Sequence, residues 1–336
     1  MSAGWKARPE GGARFALWLL VSIGRHGGRP AARACLYPIT LYFLLRRGPE
    51  RRASREWLSR ALGRPATLLD SARHIHTFAA TILDRLFLLA DRRPERFAVE
   101  VNGLEGLHAA IDQGQGVLLF GSHLGSFEVL RVLKRARPDV PLRVVLDRAH
   151  NPALTSLLEA LDPEVAATVI DAGQPGAQIM LAIGEAVATG AMVALLVDRV
   201  HPGAPAVSAP FLGRQAPWPL APWQLAAALQ VPVVLAFGLY RGGNRYELVF
   251  EPFSEGLRLP RGERARALPT VIARYVARLE HHARRAPFNW FNFYPFWDAD
   301  HAPAAPDQAA PPARSPLPGA PDAGEPVLRR TAVPGR

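Results

Sequence analysis

The stretch "GVLLFGSHLGSFEVLRVL", residues 116 to 133, joins an apolar run to a helical pattern through a glycine-flanked bend. Its first part, "GVLLF", has the length and composition of a buried strand, and "SFEVLRVL" has helical spacing with Ser126 as a candidate cap. A strand, a short turn and a helix form the repeating unit of α/β proteins. The stretch therefore predicts one such unit, with His123 at the end of its strand.

The same alternation of strand-like and helix-like segments recurs along the chain from about residue 97. Short apolar runs of strand length alternate with segments of helical spacing; the runs are residues 97–103, 142–147, 167–171, 192–198, 232–240 and 245–252. This alternation predicts an α/β fold with a mostly parallel central sheet flanked by helices. In such sheets the ligand crevice lies beyond the carboxyl ends of the strands, which is where we expect His123.

Composition divides the chain into four predicted regions. Residues 1–48 are basic and apolar, residues 49–94 have helical periodicity, and residues 95–300 contain the α/β pattern. Residues 301–336 are rich in proline and alanine without periodicity, and we predict that this tail is disordered.

The first 60 residues hold most of the excess positive charge, with twelve basic and three acidic side chains, whereas the whole chain has a net charge of +11. The bases are interleaved with two apolar runs, "FALWLLVSI" and "ACLYPITLYFLL". Neither run reaches the roughly 20 apolar residues of a membrane-spanning helix. The pattern favours a helical segment lying at a membrane interface. The alternative is a helical hairpin packed on the body with a solvated basic face.

Several classes of site and partner are excluded. The single cysteine, Cys35, has no partner inside the chain for a disulfide and cannot form a cysteine-rich metal site. His74 and His76 lie two residues apart and cannot share a helical face, which argues against a metal pair. No zinc-finger spacing, RNP-like motif or basic heptad helix indicates a nucleic-acid partner. We expect no metal, no cofactor and no nucleic acid.

His123 and Glu128 form the pattern H-x-x-x-x-[DE] at the predicted strand end. A carboxylate on one imidazole nitrogen fixes the tautomer and leaves the other nitrogen to take a proton from a hydroxyl. The alternative makes Glu128 a helix-start acid and His123 an ordinary loop residue. Because the sequence has no G-x-S-x-G elbow, H-E-x-x-H or P-loop motif, a base without its own nucleophile suggests direct transfer to an acceptor hydroxyl.

At this point the chain resembles the bacterial lipid A biosynthesis acyltransferases, the lauroyl and myristoyl transferases of the wider lysophospholipid acyltransferase fold. The resemblance covers residues 14 to 297 and is carried by four segments in order: "HLGSFE", "DRAHNPALTSLLEAL", "GEAVATGAMVALLVDR" and "APFLGRQAPWPLAPWQLAAALQVPVV". The first fits the family's catalytic motif, and the others fit its Asn-Pro helix start, its strand ending in an acid and its Phe-Leu-Gly block.

This resemblance implies roles for five residues. His123 would be the general base and Glu128 its orienting partner. Arg148 and Arg199 would bind phosphate or hold charge on the thioester oxygen, although each could equally be a surface arginine. Gly213 would permit a tight turn near the substrate site. The implied donor is an acyl thioester on acyl carrier protein, an acidic partner that a basic surface would attract.

Three further segments carry expectations of their own. We expect Asp198 to organise the loop "DRVHPG" and not to take part in chemistry. The basic helix at 263–285 is expected to be interrupted near Pro269. The stretch "PFNWFNFYPFW", residues 287 to 297, has seven aromatics in eleven residues. We expect it at a membrane interface or beside an acyl site, the alternative being a plug on the core.

Taken together, the residues and the resemblance predict a membrane-associated O-acyltransferase on the cytoplasmic face of a bacterial inner membrane, with a lipid or glycolipid acceptor. One alternative is a lysophosphatidic-acid-type transferase that uses similar chemistry on a glycerolipid. The other is a catalytically silent membrane-binding scaffold, which would keep the fold without needing a contact between His123 and Glu128.

Overall fold

The structure, a computed structural model, describes residues 28–90, 97–132, 139–149, 155 and 166–297. The predicted disordered tail and the first 27 residues of the predicted membrane-associated segment lie outside these residues. So does most of the helix predicted after Asn151.

A seven-stranded sheet forms the centre of the molecule. Its strands are β1 (Ala98–Asn102), β2 (Val117–Gly121), β3 (Leu142–Leu146), β4 (Val169–Asp171), β5 (Met192–Leu196), β8 (Val233–Gly242) and β9 (Arg245–Ser254). The strand order is β1-β9-β8-β2-β5-β3-β4. Every neighbouring pair is parallel except β8 and β9, which form an antiparallel hairpin. The predicted α/β fold with a mostly parallel sheet flanked by helices is confirmed.

The central strands are buried on both faces. Leu118 and Phe120 of β2 face one hydrophobic cluster, whereas Val117 and Leu119 face another on the opposite side of the sheet. Successive side chains of a strand point to opposite faces, and a strand covered on both faces is apolar at every position. This is why the uninterrupted run "VLLF" forms the middle of the sheet.

The helices cover both faces of the sheet. They are α1 (Leu36–Arg46), α2 (Gly48–Leu62), α3 (Leu68–Ala90), α4 (Leu104–Ile111), α5 (Gly176–Ala188), α6 (Ala221–Leu229) and α7 (Arg264–Arg285), and helical backbone also covers 28–34. Residues of α4 pack on the β2 face that Val117 shares, and residues of α5, α6 and α7 pack on the other.

Helix α7 runs without interruption through Pro269, so the break expected there is wrong. Pro269 is the sixth residue of the helix, where a missing N–H removes one bond of the first turns only. The residues Leu268, Ile272, Tyr275 and Leu279 recur at helical spacing and are buried against the sheet. This apolar stripe keeps the helix in place despite the proline.

A separate two-stranded ribbon, β6 (Ala206–Phe211) and β7 (Arg214–Pro219), was not predicted. Its prolines argue against strands in a central sheet, because proline cannot donate to the ladder. In a two-stranded ribbon each strand keeps a free edge, so proline is tolerated there. The turn residues Leu212 and Gly213 have φ angles of 50° and 79°. Two positive φ angles in a two-residue loop are those of a type I′ hairpin turn.

Among the described residues, none of the helices combines the length and apolar character that crossing a membrane would require.

Candidate active site

His123 follows β2 in a turn that is fastened on both sides. The His123 carbonyl accepts a hydrogen bond from the Phe291 N–H at 2.9 Å, and the Gly125 N–H donates to the Asn289 carbonyl at 2.8 Å. On the other side, the Ser126 N–H donates to the Gly238 carbonyl of β8 at 2.7 Å. The turn is therefore held between β8 and the aromatic segment, which fixes the position of His123.

The imidazole of His123 is paired with the buried carboxylate of Asp198, which follows β5. The His123 Nδ1 lies 2.8 Å from Asp198 Oδ1, and the His123 backbone N–H donates to Asp198 Oδ2 at 3.1 Å. Strand β5 is the parallel neighbour of β2, so the carboxyl ends of both strands meet at one edge of the sheet. The strand order thus brings together two residues that are 75 positions apart.

The charges of this pair define which nitrogen can act as a base. Burial alone would raise the pKa of Asp198, but His123, Arg199 and the Asn292 amide together bring it below its ordinary value. Because an ionised carboxylate can only accept, the His123 Nδ1 carries the proton and Nε2 keeps a lone pair. Nε2 makes no hydrogen bond to any described residue, and the side chain is 27% exposed.

Burial, and next the charge of Arg199, lower the pKa of His123 below its ordinary value, against the opposing effect of Asp198. The imidazole is therefore neutral near pH 7. A neutral imidazole with an open Nε2 and an oriented Nδ1–H is the form required of a general base.

Asn292 and Arg199 support the Asp198 carboxylate. The Asn292 amide donates to Asp198 Oδ2 at 3.1 Å, and Arg199 Nε donates to the Asn292 side-chain oxygen at 2.6 Å. Arg199 also donates to the Phe291 carbonyl at 3.1 Å. The sequence patterns assign no role to Asn292, although a polar residue inside an aromatic run is a signal, since buried amides need partners.

Glu128 does not occupy the place expected of it. The hydrogen-bond partner of His123 Nδ1 is Asp198, the residue that the sequence predicts only as an organiser of its loop. Glu128 accepts from the Ser126 hydroxyl at 3.0 Å and forms an ion pair with Arg85, with 2.7 Å between Nε and Oε1. It is the second residue of a 3-10 helix, Phe127–Val132, that follows the His123 turn.

The two predicted arginines have different surroundings. Arg199 lies beside the His123 pair, with the contacts given above. Arg148 follows β3, whose carboxyl end lies at the same edge of the sheet as those of β2 and β5. Its guanidinium donates to the Ala166 carbonyl at 2.8 Å, and its backbone N–H donates to Asp171 at 3.2 Å. For both arginines, substrate binding stays a prediction.

Gly213 forms the tight turn of the β6–β7 hairpin, with a φ of 79°. The neighbouring Leu212 N–H donates to Glu280 of α7 at 2.7 Å, so this turn contacts α7. A contact between Gly213 and substrate stays a prediction.

The aromatic segment at 287–297 is packed into the protein. Trp290, Phe291, Phe296 and Trp297 are all buried, and Trp290 stacks on Trp57 of α2 with 5.1 Å between ring centroids. This burial matches the alternative of a plug on the core. Phe288, Phe293 and Tyr294 are only partly buried, and a location at a membrane interface stays a prediction. The segment also supplies Asn292 and the Phe291 N–H to the His123 site, so it is a structural part of that site.

Within the described ranges, no group of three or more His, Cys, Asp or Glu side chains is placed to hold a metal ion.

Residues 75–298, well over half of the chain, match the family described as bacterial lipid A biosynthesis acyltransferase. The chain belongs to this family. The resemblance drawn from the four sequence segments is confirmed, and the match includes His123, Asp198 and Asn292. Family membership makes the protein an acyltransferase and associates it with lipid A-like acceptors. A comparison of this acyltransferase with curated proteins gave no match.

Proposed function

We propose that the protein transfers a fatty acyl group from an acyl thioester to a hydroxyl of a lipid or glycolipid acceptor, with His123 as general base. The observation that carries this proposal is the Asp198 carboxylate on His123 Nδ1, which leaves a neutral Nε2 open at the carboxyl edge of the parallel sheet. Family membership supports the reaction class. The donor we propose is acyl carrier protein.

The reaction follows from the tautomer of His123. Nε2 takes the proton of the acceptor hydroxyl as its oxygen attacks the thioester carbonyl carbon. Asp198 stabilises the imidazolium that forms, because its negative charge lies against Nδ1–H. The tetrahedral intermediate then expels the thiolate, which takes the proton back from Nε2. One ester forms, one thioester breaks, and the histidine returns to its starting state.

The test is acyl transfer by purified variants. His123→Ala and Asp198→Asn should each lower turnover by about a hundredfold to ten-thousandfold, because each removes general-base catalysis or its orientation. The control is His281→Ala, an exposed histidine of α7. Lipid A precursors and lysophosphatidic acid serve as alternative acceptors. Wild-type turnover in folded His123→Ala, verified by thermal unfolding, would refute the mechanism.

We further propose that the protein works at the surface of the cytoplasmic face of the inner membrane. Helix α1 exposes Tyr37, Leu41, Tyr42 and Leu45, with exposed fractions of 70%, 55%, 55% and 66%. These positions share one helical face, which we call the α1 apolar face. Contiguous exposed apolar side chains beside basic residues such as Arg46 suit insertion into anionic lipid headgroups.

Flotation with vesicles that contain phosphatidylglycerol tests the α1 apolar face. The triple variant Tyr37→Ser, Leu41→Ser, Leu45→Ser should bind a smaller fraction, and high salt should weaken wild-type binding only in part, since apolar insertion is not screened. The matched control is Leu181→Ser, a 63% exposed leucine of α5. Equal flotation of the triple variant and the wild type would argue against this surface.

A further inference from the structure

Arg85 of α3 is a cation near His123 that neither the sequence motif nor the mechanism above uses. Its Nε lies 2.7 Å from Glu128 Oε1, and the other carboxylate oxygen of Glu128 accepts from the Ser126 hydroxyl at 3.0 Å. Ser126 and Glu128 belong to the segment that continues the His123 turn. Glu128, the acid of the H-x-x-x-x-[DE] pattern, therefore forms an ion pair with Arg85 beside the His123 turn.

Helix α3 directs Arg85 to this place. His74, Phe78 and Arg85 lie on one face of the helix, because eleven residues make close to three whole turns. On that face, His74 contacts the Trp290 carbonyl at 2.7 Å, and the Phe78 ring lies 5.2 Å from that of Phe291. The Phe291 N–H in turn bonds the His123 carbonyl. This face of α3 therefore packs along the aromatic segment that bonds His123, and its last residue, Arg85, lies beside Glu128.

The guanidinium of Arg85 is well suited to bind an anionic oxygen. Its Nε is paired with Glu128 through charge at 2.7 Å but makes no hydrogen bond, and neither amino group makes a hydrogen bond to a described residue. The side chain is 26% exposed. A guanidinium presents its remaining N–H groups as a planar fork that matches oxyanions. The positive charge of Arg85 is close enough to His123 to contribute to the lowering of its pKa.

We propose that Arg85, positioned by Glu128, binds an anionic oxygen of the reacting substrates at the His123 site. The inference rests on the proposed acyl transfer. Two sources could supply such an oxygen: the thioester carbonyl as it gains charge during attack, or a phosphate of the acceptor. Glu128 acts through Arg85 and is a positioning residue, whereas the role of orienting His123 belongs to Asp198.

The experiment compares Arg85→Met, Arg85→Lys and Glu128→Gln with wild type in steady-state acyl transfer, using a phosphorylated and a phosphate-free lipid acceptor. If the oxygen is that of the thioester, Arg85→Met should lower kcat by about a hundredfold to a thousandfold with both acceptors. If it is an acceptor phosphate, the KM for the phosphorylated acceptor should rise while that for the other stays constant. Arg85→Lys should recover part of the loss, and Glu128→Gln should have the same effect as Arg85→Met but smaller.

A pH profile separates this role from a structural one. The groups with charge that face His123 are Asp198, Arg199 and Arg85. Removing the Arg85 charge should raise the pKa of His123, so we expect the acid limb of kcat/KM to move to higher pH in Arg85→Met and to stay in place in Arg85→Lys. The matched control is Arg64→Met, an arginine ion-paired with Asp70 near the start of α3.

Unchanged kcat, KM and acid limb in folded Arg85→Met would overturn this inference. A loss of thermal stability alone, with wild-type kinetics, would overturn it equally. The His123→Ala result keeps the two proposals apart. If His123→Ala is inactive and Arg85→Met is normal, only the inference about Arg85 fails, whereas an active His123→Ala removes the proposed function itself.

Discussion

Gly125 lies where the His123 turn packs against Gly238 of β8. Its φ is +83°, and a Cβ atom placed on it would lie 2.0 Å from the Gly238 carbonyl oxygen. Gly238 is equally close, since its Cβ would lie 2.1 Å from the Ser126 carbonyl oxygen. Two glycines are therefore required for the backbone contact that sets the position of His123.

We predict that Gly125→Ala destabilises the protein more than Gly63→Ala. Gly63 ends α2 with a φ of +65°, and a methyl group added to it would meet no atom within 4 Å. Alanine at that position therefore costs about 1–2 kcal/mol for the left-handed conformation alone. Gly125→Ala adds a backbone clash to the same conformational cost. Urea denaturation of both variants measures the difference, and equal free energies of unfolding would show that the close contact at Gly125 is easily relieved.

At the scale of elements, α3 connects the helices at the start of the chain to the site. His74 is fully buried in this helix; its Nδ1 lies 2.9 Å from the Ser54 hydroxyl of α2, and its Nε2 lies 2.7 Å from the Trp290 carbonyl. Because a carbonyl can only accept, Nε2 carries the proton and Ser54 donates to Nδ1. A neutral His74 thus joins α2, α3 and the aromatic segment.

The burial of His74 predicts a loss of stability in mild acid. Burial lowers its pKa from 6.5 to about 4, against the weaker opposing effect of the Trp290 carbonyl. Between these two values the unfolded chain binds more protons than the folded protein. The stability that neutral His74 contributes is therefore complete above pH 6.5 and is lost as the pH falls towards 4. In that range the free energy of unfolding should fall by at most about 1.4 kcal/mol per pH unit.

Urea denaturation at several pH values between about 7 and about 4.5 measures this slope. His74→Gln should be less stable than wild type at neutral pH yet depend less on pH, because glutamine can still bond Trp290 and Ser54 but does not titrate. Burial also lowers the pKa values of His76 and His123, so a smaller slope remains in the variant. Parallel curves for wild type and His74→Gln would contradict the assignment.

At the scale of the whole molecule, the net charge of +11 predicts that the rate of association with an acidic acyl donor depends on salt. Long-range attraction between a basic enzyme and an acidic carrier protein raises the rate of encounter, and salt screens it. If acyl carrier protein delivers the chain, kcat/KM for that donor should fall steeply as ionic strength rises. The comparison donor is acyl-CoA, for which we expect a smaller decrease. Matching salt dependence for the two donors would argue against a docked carrier protein.

The sequence predicted the positions of the strands better than it predicted the contacts between side chains in the site. The seven strands of the main sheet lie where short apolar runs predicted them, and His123 lies at the end of β2 as expected. Local periodicity suffices for this, because burial on one face or two leaves its pattern in neighbouring residues. The same local rules failed for the proline-containing ribbon β6–β7, where a free strand edge removes the usual penalty.

The partners of His123 were decided only by tertiary structure. The sequence offered Glu128, five positions away, whereas the carboxylate that meets the imidazole is Asp198, 75 positions away, and it is supported by Asn292, a further 94 positions along from Asp198. Local patterns determine which residues form strands and where a strand ends. They carry no information on which strands become neighbours, and it is the adjacency of β2 and β5, together with the return of the aromatic segment, that assembles the site.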